Sequence, residues 1–165
     1  MESARLVWYG LLAKRLLRGC PCPVWILQPG APPRFKQVIA AVDTEGSNSE
    51  KVELNRKIVE SAAALAEHDG AELHVVNAWT APGETLFRSR MPAEELAQYV
   101  TDCREAAQER VDDLLAQLTP TTDAKVDLLK GNLQDVLDRL VESEPLSLVV
   151  MGTICRSGIS GYLIG

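Results

Sequence analysis

Leu146-Ser147-Leu148-Val149-Val150-Met151, followed by Gly152-Thr153-Ile154-Cys155-Arg156-Ser157-Gly158-Ile159-Ser160-Gly161-Tyr162-Leu163-Ile164-Gly165, is the stretch on which the fold turns. Its first six residues form an almost unbroken apolar run, the pattern of a strand buried on both faces of a parallel sheet. The run breaks at Gly152 into a loop holding four glycines and several hydroxyls. Glycine after such a strand lets the backbone approach a ligand closely, and free N–H groups there can cradle an anion. Taken alone, the same residues also read as a flexible C-terminal tail, so what precedes them decides.

Working back from it, 133–143 reads as a short helix capped by Gly131-Asn132, and Ala124 to Leu129 as a strand whose alternation suits a partly covered edge. A long helix over 92–118 shows an apolar stripe of Leu96, Val100, Cys103, Ala107, Val111, Leu114 and Leu118. Residues 80–91 are expected to be a loop, and Glu72 to Trp79 a strand. A helix over about 50–68, ended by Asp69-Gly70, turns Val52, Ile58, Val59, Ala62, Ala63, Leu65 and Ala66 to the core. The turn before it, 44–49, offers N-cap residues. Before that comes the apolar strand Gln37 to Val42, ending at Asp43. From residue 37 the order is thus β-α-β-α-β-α-β, which implies α/β architecture: an open, mostly parallel sheet with helices on both faces. In such sheets ligands bind beyond the carboxyl ends of the strands, where the winding reverses. Asp43 and Gly152 both sit at such ends.

Ahead of this, residues 4–18 read as a helix and 23–28 as a strand, its opening Pro23 suiting an edge. Pro29-Gly30-Ala31-Pro32-Pro33 marks a linker.

The 165 residues suffice for one domain, and 46% hydrophobic with 24% charged residues is ordinary globular composition. A net charge of −6 argues against nucleic acid as partner. No apolar run approaches a membrane span and no targeting segment is evident, so the cytoplasm is the expected location. Cys20, Cys22, Cys103 and Cys155, with His68 and His74, show no metal-ligand spacing. Cys20-Pro21-Cys22 reads as a redox pair or, preferably, as thiols packed beside a strand, since neighbours one residue apart bridge only with strain. No Walker phosphate loop and no nucleophile–base pairing is present, so no catalytic residue is nominated and weak ATP hydrolysis is the most expected of the chain as an enzyme.

Ala40-Ala41-Val42-Asp43, Leu73-His74-Val75-Val76 and Val149-Val150-Met151-Gly152-Thr153 leading to Arg156-Ser157-Gly158-Ile159 resemble the universal stress protein family over about 37–165. The resemblance implies a five-stranded, Rossmann-like sheet of order 3-2-1-4-5 (the adenine nucleotide alpha hydrolase-like arrangement), which sets Asp43 beside Gly152. In nucleotide-binding members the aspartate and first glycine hold the ribose, a strand-two backbone group matched by Val75 meets adenine, and a G-x2-G-x9-G-[ST] loop takes the phosphates. The implied cofactor-binding residues are Asp43, Thr44, Val75, Gly152, Thr153, Arg156 and Gly165, for ATP or AMP, with Mg2+ accompanying ATP only. Two departures stand out: Cys155 replaces the loop's second glycine, and the Ser or Thr that closes the pattern after Gly165 is expected to be missing. The alternative implied is a dimeric stress-response protein that binds no nucleotide, its phosphate loop degenerate at Cys155.

The resemblance also implies a tandem organisation: 1–29 as the terminal helix and strand of a preceding domain, 30–36 as linker, and 37–165 as a second domain lacking its last helix and strand. The leading helix and strand are then expected to fill the fifth-strand place, in cis or swapped into a homodimer. Asp43 also reads as a loop acid capping the next helix, Arg156 as a solvated charge, Thr153 as a turn former, and His74 as structural.

Overall fold

The computed structural model describes residues 11–20, 22–27, 30–46, 48–118, 123–143 and 147–152. Arg34–Gly152 forms one compact unit. In it β1 (Gln37–Val42) is followed by α2 (Ser49–Asp69), β2 (Glu72–Trp79), the short α3 (Glu84–Phe87), α4 (Ala93–Ala116), β3 (Ala124–Lys130), α5 (Leu133–Ser143) and β4 (Ser147–Met151); α1 (Leu11–Gly19) precedes them in the chain. The described residues before Arg34 belong to a second unit.

The strands form a parallel sheet of order β3-β2-β1-β4. β1 is central because its residues demand it: from Val38 to Val42 every position is buried. One face carries Val38, Ala40, Val42, Leu73 and Val75 against Ile58, Val59 and Ala62 of α2 and Val111 and Leu114 of α4. The other carries Ile39 and Val76 against Val136 and Leu140 of α5. Each fully buried Ile or Val side chain here contributes about 1.5–3 kcal/mol of transfer free energy.

The helices begin and end where the sequence supplies caps. The Asn48 side chain accepts from the Glu50 amide at 2.9 Å, and Gly70, at φ 68°, closes α2 with its amide on Ala66 and Glu67. Asn132 does the same for α5, accepting from the Asp135 amide at 2.9 Å.

Several expectations are corrected. The sheet has four strands among the described residues, not five. Residues 23–27 are irregular, not a strand: Pro23 has no donor, and a short apolar run becomes a strand only against a hydrogen-bonded neighbour. β4 is half-buried, not buried on both faces, because among the described residues it stands at the sheet margin. Residues 80–91 contain α3. Val52 is exposed; the inward stripe of α2 runs instead through Leu54, Asn55, Ile58, Val59, Ala62 and Ala66. The expected helix over residues 4–18 is described only from Leu11, its earlier part lying outside the described residues. Trp79 packs in the core, whereas Trp25 is exposed. Among the described residues no helix is long and apolar enough to cross a membrane.

Candidate functional site

β1 pairs with β2 on one side and with β4 on the other, so the winding reverses between β1 and β4. The last β1–β4 pair is Ala41 with Met151, which leaves Val42 and Gly152 as the next residue on each chain. Two tips nearly 110 residues apart in sequence therefore emerge side by side, Asp43 and Thr44 beyond one and Gly152 at the other. A parallel sheet with order reversal produces this juxtaposition without any local signal.

The β1 tip is held by two buried amides. Asn55, on the inward face of α2 and 5% exposed, donates through Nδ2 to the Asp43 carbonyl at 2.7 Å and accepts from the Asp43 amide at 3.2 Å. Asn77, on β2 and 2% exposed, donates to the Val42 carbonyl at 3.1 Å and to Thr44 Oγ1 at 3.3 Å. Together they satisfy backbone groups that have run past the end of the ladder, where an unpaired buried group would cost about 1–3 kcal/mol. Both escaped the sequence reading. Their signal was present: Asn77 continues the inward face of Leu73 and Val75, and Asn55 precedes Ile58, Val59 and Ala62 at helical steps of three, four and seven.

With its backbone fixed, Asp43 turns its carboxylate outward, 59% exposed, where it pairs with Lys51 Nζ at 2.5 Å and accepts from the Glu45 amide at 3.0 Å. Lys51 also donates to the Glu45 carbonyl. The capping of α2 falls to Asn48, so Asp43 shapes the turn without capping the helix. Gly152 has its own constraint: a Cβ there would lie 2.4 Å from Leu54 Cδ2 and 3.3 Å from Ile58 Cδ1. A side chain at this position would have to push Leu54 aside, so the packing of α2 favours glycine there.

Of the residues implied by resemblance, Asp43, Thr44 and Gly152 are brought together. Val75 lies within the sheet, fully buried and paired with Ala40 on one side and Val126 on the other. Thr153, Arg156 and Gly165, with Cys155, lie outside the described residues. His74 sits on the α5 face with Nδ1 2.6 Å from Asp127 Oδ2; its Nε2 stands 3.5 Å from Glu72 Oε2 and makes no hydrogen bond among the described residues.

The β2 and β3 tips form a different corner. A recess of about 430 Å3 opens there between Thr80, Gly83, Leu86 and Gly131. Lys130 bonds Glu84 at 2.6 Å and stands 5.6 Å over the Trp79 ring, whose buried Nε1 finds no hydrogen-bond partner among the described residues. Lys130 beside it holds the Glu84 carboxyl below its ordinary value. The charges in this corner are consumed by one another, and the recess walls are mostly apolar.

Comparison with known proteins agrees with this architecture. The universal stress protein family profile matches residues 34–165. The chain is 27% identical over 151 residues to universal stress protein E of Escherichia coli strain K12, covering 91% of this chain and 47% of that protein. It is 25% identical over 153 residues to the universal stress protein E homolog of Haemophilus influenzae, covering 92% of this chain and 48% of that one. A crystal structure from Pseudomonas aeruginosa UCBPP-PA14, assigned provisionally to the universal stress proteins, superposes with a TM-score of 0.59 at 26% identity, over 92% of this chain and 48% of that one. The chain thus spans about half the length of the relatives it matches. A parallel sheet reversing between β1 and β4, an aspartate and a glycine at those two tips, and a family match across four-fifths of the residues lead to one conclusion: the chain belongs to the universal stress protein family.

Proposed function

We propose that this chain binds an adenine nucleotide, ATP or AMP, over the β1 and β4 tips and serves a stress response as a nucleotide-dependent sensor or regulator. The observation that carries the reading is the outward-facing Asp43 carboxylate on an amide-fixed turn beside Gly152, at the point where the sheet reverses. Asp43 and Thr44 would meet the ribose hydroxyls, which would compete with Lys51 for the carboxylate. The phosphates would fall to the loop after Gly152, with Thr153, Arg156 and Gly165, and Mg2+ would accompany ATP only. Val75 has less support as the adenine contact, because its backbone lies between two paired strands.

A second reading has its own support. Leu54 already accounts for the glycine at 152, and Cys155 interrupts the phosphate-loop pattern. On that reading the protein is a dimeric interaction module that binds no nucleotide.

Titration with a fluorescent ATP analogue separates the two. The first expects saturation below millimolar analogue and at least tenfold weaker binding in Asp43→Ala, about 1.4 kcal/mol. Absence of saturation at millimolar analogue removes it; binding that then emerges in Cys155→Gly identifies an intact but blocked site.

A further inference from the structure

The segment after α1 holds two thiols side by side. Cys20 and Cys22 flank Pro21, and their Sγ atoms lie 3.0 Å apart. Both are free, Cys22 exposed and Cys20 partly so. The Cys20 amide donates to the Leu16 carbonyl at 2.9 Å, so one thiol is anchored on the helix and the other follows two residues later. Packing does not account for the pair, because residues 23–27 form no strand beside which the thiols could bury. The hydrogen bond from Cys22 pulls the Cys20 thiol below its ordinary value, and the same contact pushes Cys22 up.

We infer that Cys20 and Cys22 form a thiol–disulfide exchange site whose oxidant is a small disulfide of the glutathione class. One protein thiolate attacks a sulfur of that disulfide; a mixed S–S bond forms, the original S–S bond breaks, and one small thiolate leaves. The second cysteine gives its proton to solvent and attacks the protein sulfur of the mixed bond, expelling the other small thiolate. The two cysteines lose two electrons between them, and one small disulfide becomes two thiols. The sulfurs must close from 3.0 Å to about 2.05 Å. A ring spanning a single intervening residue is strained, and strained, exposed bridges are readily reduced, so the site works reversibly and is no permanent cross-link.

The test uses the full chain, incubated with glutathione disulfide, alkylated with N-ethylmaleimide and digested with trypsin. Cys20 and Cys22 share the tryptic peptide 19–34, while Cys103 and Cys155 fall in other peptides. The expected result is a peptide about 2 Da lighter than its reduced form, refractory to alkylation and restored by dithiothreitol. Cys20→Ser and Cys22→Ser should each stop at a glutathione adduct about 305 Da heavier on the remaining cysteine. Alkylation of both cysteines after oxidation overturns the inference. So does an unresolved adduct in the wild type, or a bridge from this peptide to Cys103 or Cys155.

Discussion

The carboxyl rim of the sheet has two corners, and they are finished by opposite means. At the β1–β4 corner neutral amides from α2 and β2 take up the backbone, leaving the Asp43 carboxylate facing out. At the β2–β3 corner the groups are charged and aromatic, and the charges pair: Lys130 bonds Glu84, and the same ammonium stands over Trp79. Among the described residues the second corner holds a recess, and the first holds an exposed carboxylate on a rigid mount. The contrast teaches that one sheet rim can be finished either by neutral amides that fix a backbone or by charges that pair with each other.

If that contrast is real, Asn55→Ala should be the most damaging change at either corner. It strips both the amide and the carbonyl of Asp43 of partners inside a packed helix–sheet interface. A loss of about 2–3 kcal/mol in urea unfolding is expected. A cost no greater than that of removing Lys130 would erase the distinction.

Gly152→Ala comes next. The new methyl must displace Leu54, for an expected loss of about 1–3 kcal/mol from overpacking. Combining it with Leu54→Ala should recover part of that cost, and the non-additivity in a double-mutant cycle measures the contact directly.

The smallest effect is expected at the other corner. Lys130→Met should lower Tm slightly at neutral pH. The Glu84 carboxyl is held below its ordinary value of 4.5, mainly by Lys130. A depressed native value gives stability that is present above the ordinary one and disappears as pH falls through the lowered one. The gap in Tm between wild type and Lys130→Met should therefore close in acid. A gap that widens in acid would reverse the assignment.

These features differ in how far the amino-acid order revealed them. A run such as Val38 to Val42 declares a central strand, because it is apolar throughout, too short for a helix and rich in β-branched residues. Asn48, Gly70 and Asn132 declare helix ends through their own chemistry. The adjacency of Asp43 and Gly152 came from the strand order that the family resemblance implies, not from either residue; element order alone put both at strand ends. What stayed hidden was polar structure inside apolar patterns. Asn55 and Asn77 break a hydrophobic stripe and are discounted by any reading that counts only apolar positions, although their burial is what fixes the turn. Val52 shows the reverse error: an apolar residue one step off the inward face. The stretch around Trp25 failed for a third reason, since a strand is made by its neighbour as much as by its own residues.

The amide clamp on Asp43 has one more implication. Carboxamides have no proton to gain or lose at any acidity a living compartment reaches. The joint that sets the direction of the β1 tip is therefore deaf to acidification and nearly indifferent to salt, whereas the Lys51 contact on its surface weakens as salt rises.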